Sequence, residues 1–94
     1  GCALNEAYWN QGLMTEAVGA MIRYLFMDPG TELIAMDHFA DNYGSQRVIE
    51  KNGFQYEGTM RQKIRLFNGE VKDCLCYSLT RAEFEAQTVS QDKD

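Results

Sequence analysis

The chain has 94 residues, enough for one small domain, and its 45% apolar and 24% charged content is that of a folded globular chain rather than a disordered tail. A formal net charge of −5 argues against nucleic acid or an anionic membrane surface as partner, and the longest apolar run is far short of a bilayer span. Three cysteines (Cys2, Cys74, Cys76) make an odd count without metal-ligand spacing, which reads as reduced thiols in a cytoplasmic protein with no metal site.

Taken in chain order, Cys2 to Leu4 reads as a short strand that enters a polar turn around Gly12. A helix over Leu13–Met27 follows, with Leu13, Met14, Ala17, Val18, Met21, Ile22, Leu25 and Phe26 at helical spacing. A strand–turn–helix of this form aims unpaired backbone N–H groups at one point, and the helix dipole adds positive character there. The stretch Tyr8–Ala17 is therefore a cradle for a pyrophosphate. Gly12 suits it because a Cβ would obstruct close approach of the phosphates. Trp9, Tyr24 and Phe26 read as packing residues. Asp28-Pro29-Gly30 stops the helix.

Glu32 to Met36 is a short apolar run, suited to a strand buried on both faces, and His38 falls in the loop after it. Asp41 or Asn42 can cap a second helix that carries Val48 and Ile49 inward. Gly53 is placed to end that helix, with Phe54 as the apolar contact beyond it. Phe54 to about Phe67 reads as a strand with a basic face made by Arg61, Lys63 and Arg65. Asn68-Gly69 signals a two-residue hairpin turn, and Val71 to Leu79 alternates as the return strand, which puts Cys74 and Cys76 on one face. Thr80-Arg81-Ala82-Glu83 fits a capping box that starts a brief terminal helix.

The order strand–helix–strand–helix–strand–strand implies an α/β fold: a mixed sheet of about four strands and two main helices. The first two strands should run parallel through a right-handed crossover, and the last two antiparallel. The domain spans residues 1–86, with a polar tail over 87–94.

In combination these stretches resemble a known family. Tyr8-Trp9-Asn10-Gln11-Gly12-Leu13-Met14-Thr15-Glu16-Ala17 is similar to motif A of the GNAT acetyltransferases, in the version of the RimJ/RimL-type protein N-acetyltransferases. Asn42-Tyr43-Gly44-Ser45 and Glu50-Lys51-Asn52-Gly53-Phe54 resemble that subgroup's N-x-x-S and E-K-x-G-F segments. Glu57-Gly58, Arg61, Asn68-Gly69, Asp73 and Tyr77-Ser78-Leu79 follow in the same order. The resemblance covers roughly Gly1 to Phe84 and makes the chain the second half of such a domain, starting inside its fourth strand.

The resemblance implies an acetyl-CoA-dependent N-acetyltransferase, in which an amine attacks the thioester directly in a ternary complex. Backbone amides near Asn10, Gln11, Gly12, Leu13, Met14 and Thr15 would hold the coenzyme pyrophosphate. Leu4 and Asn5 would make main-chain contacts to the pantetheine arm. Asn42 would contact the coenzyme and also cap its helix. Ser45 would contact the coenzyme and donate a proton to the departing thiolate, with Tyr43 as a second acid. For the general base, Glu57, Asp73 and His38 are the available groups, or the base lies in the half of the domain that is absent here, or water serves. The implied acceptor is a protein N-terminal amine, a ribosomal one included, or a small amine. Arg61, Lys63 and Arg65 can meet coenzyme phosphate or an acidic partner, or simply form a solvated face.

Two further consequences come with this reading. The first strand, without its neighbour, offers an open edge, so a homodimer through that strand is expected. A different class of function also stands: a coenzyme A-binding, self-assembling fragment without catalysis. An unrelated nucleotide-binding module would need a lysine in the glycine turn or a GxGxxG fingerprint, and the sequence has neither.

Overall fold

A computed structural model describes the backbone of Cys2–Lys93 and the side chains from Gln11 to Thr88. The elements are α1 (Cys2–Phe26), β1 (Leu33–Phe39), α2 (Tyr43–Lys51), β2 (Gln55–Arg65), β3 (Val71–Thr80) and α3 (Arg81–Lys93). The strands form one sheet in the order β1-β3-β2, antiparallel throughout.

One face of the sheet carries the core. Val18, Ile22 and Phe26 recur every fourth residue along α1, and Val48 and Ile49 come from α2. They close over Ile34, Tyr77 and Leu79 of the sheet, and Phe54 joins them. Phe84 of α3 stacks on Phe26 with ring centroids 4.8 Å apart, so α3 lies on the same side as α1. Alternate residues on the other face, among them Leu33, Ala35, Asp37 and Met60, are exposed.

Local signals place the element ends. Asn42 caps α2: its Oδ1 accepts the Ser45 N–H at 3.1 Å. At the other end, Gly53 N–H donates to the Glu50 carbonyl and Phe54 N–H to that of Ile49. This paired closure needs Gly53 at φ +83°. Thr80 and Glu83 form the reciprocal capping box, with Glu83 N–H on Thr80 Oγ1 at 3.1 Å and Thr80 N–H on Glu83 Oε1 at 2.9 Å.

Several expectations are corrected. The strand at Cys2–Leu4 and the turn at Gly12 are both helix: α1 runs unbroken through them. Ala3, Leu4, Glu6 and Ala7 favour helix, and the segment from Cys2 to Gln11 contains neither glycine nor proline. Gly12 itself costs a helix only about 1 kcal/mol relative to alanine. A three-residue strand gains nothing to set against that unless a neighbour pairs with it. The expected parallel pair and the dimer edge at the first strand therefore lie on helical residues.

The second strand continues to Phe39, takes in His38 and lies at the sheet's edge, with only alternate residues buried. The hairpin connection has three residues, Phe67-Asn68-Gly69, with Gly69 at φ +89° and Leu66 N–H bonded to the Glu70 carbonyl at 2.7 Å. α3 continues to Lys93 through the expected polar tail. Gln87 ties it down by donating to the Gly53 carbonyl at 3.3 Å.

Among the described residues no helix is long and apolar enough to cross a membrane.

Candidate functional site

Helical spacing carries Gln11, Met14 and Val18 along one side of α1. The Asn42 cap sets the rotation of α2, so that Gly44, Ser45, Val48 and Ile49 turn toward α1. Between these two helices and Met36 and Asp37 of β1 lies a groove of about 350 Å³. Its walls are mainly apolar, from Met14, Val18, Met36, Val48 and Ile49, while Gln11 and Ser45 supply polar groups; Asp37 borders it, with its side chain on the opposite face of the sheet. A concave apolar site with a few convergent polar groups is the ordinary form of a small-molecule site. The helices approach closely at its end: a Cβ built on Gly44 would stand 3.5 Å from Gln11 Nε2.

The groove thus gathers Gln11, Met14 and Ser45 from the residues singled out in the sequence. The others fall elsewhere. Gly12 and Leu13 are exposed, and a Cβ on Gly12 would meet open space. Thr15 spends its hydroxyl on its own helix, donating to the Gln11 carbonyl at 2.7 Å. In a continuous α1 the amides of Gly12 to Thr15 are held inside the helix ladder, so the turn that would present them to a pyrophosphate is not formed. Leu4, Asn5 and Asn10 lie on the backbone of α1, and their side chains are outside the described residues. Asn42 sits beside the groove with its side-chain oxygen engaged in the cap. Tyr43 is 69% exposed and points with Gln46, Arg47, Glu50 and Lys51 to another side of α2, away from Ser45.

The candidate bases are placed apart from the groove. Glu57 accepts the Ser78 hydroxyl at 2.6 Å, and Asp73 accepts the Gln62 N–H at 2.8 Å, bracing an irregular stretch of β2 where Gln62 has φ +53°. His38 is buried in the core face. Its Nδ1 lies 2.7 Å from the Phe39 carbonyl, which can only accept, so Nδ1 carries the proton. Nε2 then accepts the Tyr77 hydroxyl at 3.0 Å. Burial, followed by the charges of Glu50 and Tyr56, pushes the Tyr77 phenol up from its ordinary value.

Asp37 is the residue that sequence reasoning missed. It forms a 2.6 Å ion pair with Lys63, which reaches over β3 from β2. The hydrogen bond to Asp37 holds the Lys63 ammonium above the usual lysine value. A similar pair, Lys72 with Asp41 at 2.6 Å, lowers the Asp41 carboxyl and raises Lys72. The available signal was a lone carboxylate at the end of an apolar run just before a helix cap, and ending the strand at Met36 left it in a loop. Among the described residues no group of three or more His, Cys, Asp or Glu side chains could hold a metal ion. Burial raises the Cys74 thiol.

The profile of the family described as "Acetyltransferase (GNAT) domain" matches residues 1–55, more than half of the chain. The chain belongs to the GNAT acetyltransferases. Domains of this family use acetyl-CoA. One GNAT relative in Bacillus subtilis (strain 168), an SPbeta prophage-derived uncharacterized N-acetyltransferase, YokL, is 32% identical over 83 residues, covering 88% of this chain and 46% of its own. The ribosomal-protein-S5-alanine acetyltransferase of Vibrio fischeri superposes with a TM-score of 0.70 at 25% identity, covering 78% of this chain and 39% of that one. The microcin C7 self-immunity acetyltransferase MccE, solved with acetyl-CoA and AMP, superposes with a TM-score of 0.65 at 26% identity over 73% and 38%. The chain spans about half the length of the curated relatives it matches.

Proposed function

We propose that this GNAT chain is the coenzyme-binding part of an acetyl-CoA-dependent N-acetyltransferase that modifies a primary amine. The observation that carries the reading is the groove itself. Gln11 and Met14 from one family segment and Ser45 from another, far apart in sequence, line the same cleft. Its apolar walls suit the pantetheine arm. When bound, acetyl-CoA supplies an activated acetyl thioester.

Each groove residue then has a task. The acceptor nitrogen forms a bond to the acetyl carbon as the carbon–sulfur bond breaks, and Ser45 gives a proton to the leaving sulfur. The proton that nitrogen must lose passes to water, since the Asp37 carboxylate lies on the opposite face of the sheet in its pair with Lys63. Met14 and Met36 keep water from the thioester. Tyr43 is a second acid only if α2 rotates. The phosphate end requires more of the chain. Asn10 to Thr15 can offer their amides only if α1 opens ahead of Leu13, and the contacts assigned to Leu4 and Asn5 require the same opening. Asn42 would then stand beside the coenzyme.

The acceptor class is a protein N-terminal amine, a ribosomal one included, or a small amine, and the likeness to a ribosomal-protein alanine acetyltransferase supports the first. Free Cys74 and Cys76 support a cytoplasmic setting.

Titration calorimetry with acetyl-CoA, followed by turnover with peptide and polyamine acceptors, tests the proposal. Binding should come with loss of helical circular dichroism. Ser45→Ala should lower kcat by about 100-fold with little change in the KM for acetyl-CoA. Absence of coenzyme binding would overturn the reading. Binding without turnover would assign the chain instead to a coenzyme-binding unit without catalysis.

A further inference from the structure

Asn52 closes the C-terminal end of α2 and commits its side chain to both groove helices. Its Nδ2 donates to the Thr15 carbonyl of α1 at 3.2 Å and to the Val48 carbonyl of α2 at 2.9 Å. Both protons of the carboxamide are thus used, while each carbonyl keeps a second lone pair for its own helix ladder. Among the described residues this is the one side-chain hydrogen bond that joins α1 to α2. Position 19 is fitted to it. A Cβ on Gly19 would stand 3.1 Å from Asn52 Oδ1, so a larger residue there pushes the carboxamide out of place.

The two carbonyls it joins belong to the groove's own neighbourhood. Thr15 follows Met14 in α1, and Val48 is itself in the wall, on the same side of α2 as Ser45. Thr15 also marks a boundary within α1. Coenzyme binding as proposed needs the helix to open ahead of Leu13, while Val18, Ile22 and Phe26 hold the core and must stay. In the helix ladder the Thr15 carbonyl accepts from the Gly19 N–H, so it belongs to the first turn that would remain.

We infer that Asn52 is a positioning residue: it fixes α1 at Thr15 against α2, so that α1 can open ahead of Thr15 while the groove keeps its width. Opening breaks helix bonds on the near side of Thr15 and leaves the cross-helix bond intact. The remaining helix then starts at a fixed place relative to Ser45. An anion held at that new N-terminus and a thiolate at Ser45 are a set distance apart, as a coenzyme gripped at both ends requires. Asn52 touches no reacting atom in this role and acts through Ser45. The positioning rests on the coenzyme reading, whereas the stop at Thr15 does not.

Amide hydrogen exchange tests the stop without any ligand. In the unmodified chain exchange should be about tenfold slower at Gly19 than over Gly12 to Thr15. Asn52→Leu, similar in shape but without the donor, should erase that step with its circular dichroism retained. Turnover tests the positioning. Asn52→Leu should lower kcat about tenfold with little change in the KM for acetyl-CoA, and in a Ser45→Ala background the loss should shrink to about twofold or less. Gly19→Ala is the second variant. Alanine favours helix, so a purely structural role leaves kcat intact, whereas a displaced carboxamide should lower it several-fold and erase the exchange step. Uniform exchange from Gly12 to Gly19, or a step that survives both substitutions, would overturn the stop. Independent kcat losses in Asn52→Leu and Ser45→Ala would overturn the positioning. A step that Asn52→Leu erases in a chain that binds no acetyl-CoA would overturn the coenzyme reading and uphold the stop.

Discussion

A side chain at position 53 would have nowhere to go. Gly53 sits at φ +83°, where a Cβ is strained, and that atom would also run into the Gln87 carboxamide. Gly53→Ala should therefore cost about 1–3 kcal/mol in denaturant unfolding, because it both strains the C-terminal closure of α2 and pushes α3 away. Tyr77 is coupled to its surroundings through protonation. Because its folded pKa is raised, its contribution to stability is fully present below the unfolded tyrosine value of about 10 and is lost as pH rises through the folded value. Spectroscopic titration in alkali should show a tyrosinate transition above the ordinary range that Tyr77→Phe abolishes. The same variant leaves buried His38 Nε2 without its donor, which should cost about 1–3 kcal/mol near neutral pH.

Among the elements, α1 invites the clearest experiment because its two roles oppose each other. As a helix interior residue with open space around it, Gly12 destabilises α1, and Gly12→Ala should raise stability by about 0.5–1 kcal/mol. If coenzyme binding needs α1 to open there, the same substitution should weaken acetyl-CoA binding by a corresponding factor of several. Thermal melts and calorimetry on one variant read both. The element also shows where sequence reasoning stops. Asn42, Gly53 and the Thr80–Glu83 box were legible because each acts on backbone within a few residues of itself. The alternation of β3 was legible because one of its faces is buried. The fate of Cys2–Leu4 was not, since whether three residues become strand or helix depends on a pairing partner that the sequence does not display. His38 and Asp37 were misplaced for a related reason: the length of β1 is set by its register with β3, far along the chain. Within the groove, Gln11, Met14 and Ser45 were named in advance as separate motif residues, and only the packing of α1 against α2 brought them together.

At the scale of the whole molecule, β3 is at once the centre of the sheet and the last of its strands in the chain. Among the described residues β1 and β2 pair with no strand except β3, so during synthesis neither joins this three-stranded ladder until Val71–Thr80 has left the ribosome. What can form earlier is the helical layer, where α1 already has α2 to pack against. The β2–β3 hairpin can close as soon as β3 is released, because its two strands are adjacent, and β1 must then be recruited across the intervening helix. Until that moment the apolar face of β1 is sheltered only by helices. This stretch of the newborn chain therefore passes through an interval in which α1 and α2 can pack together and the three-stranded sheet does not yet exist.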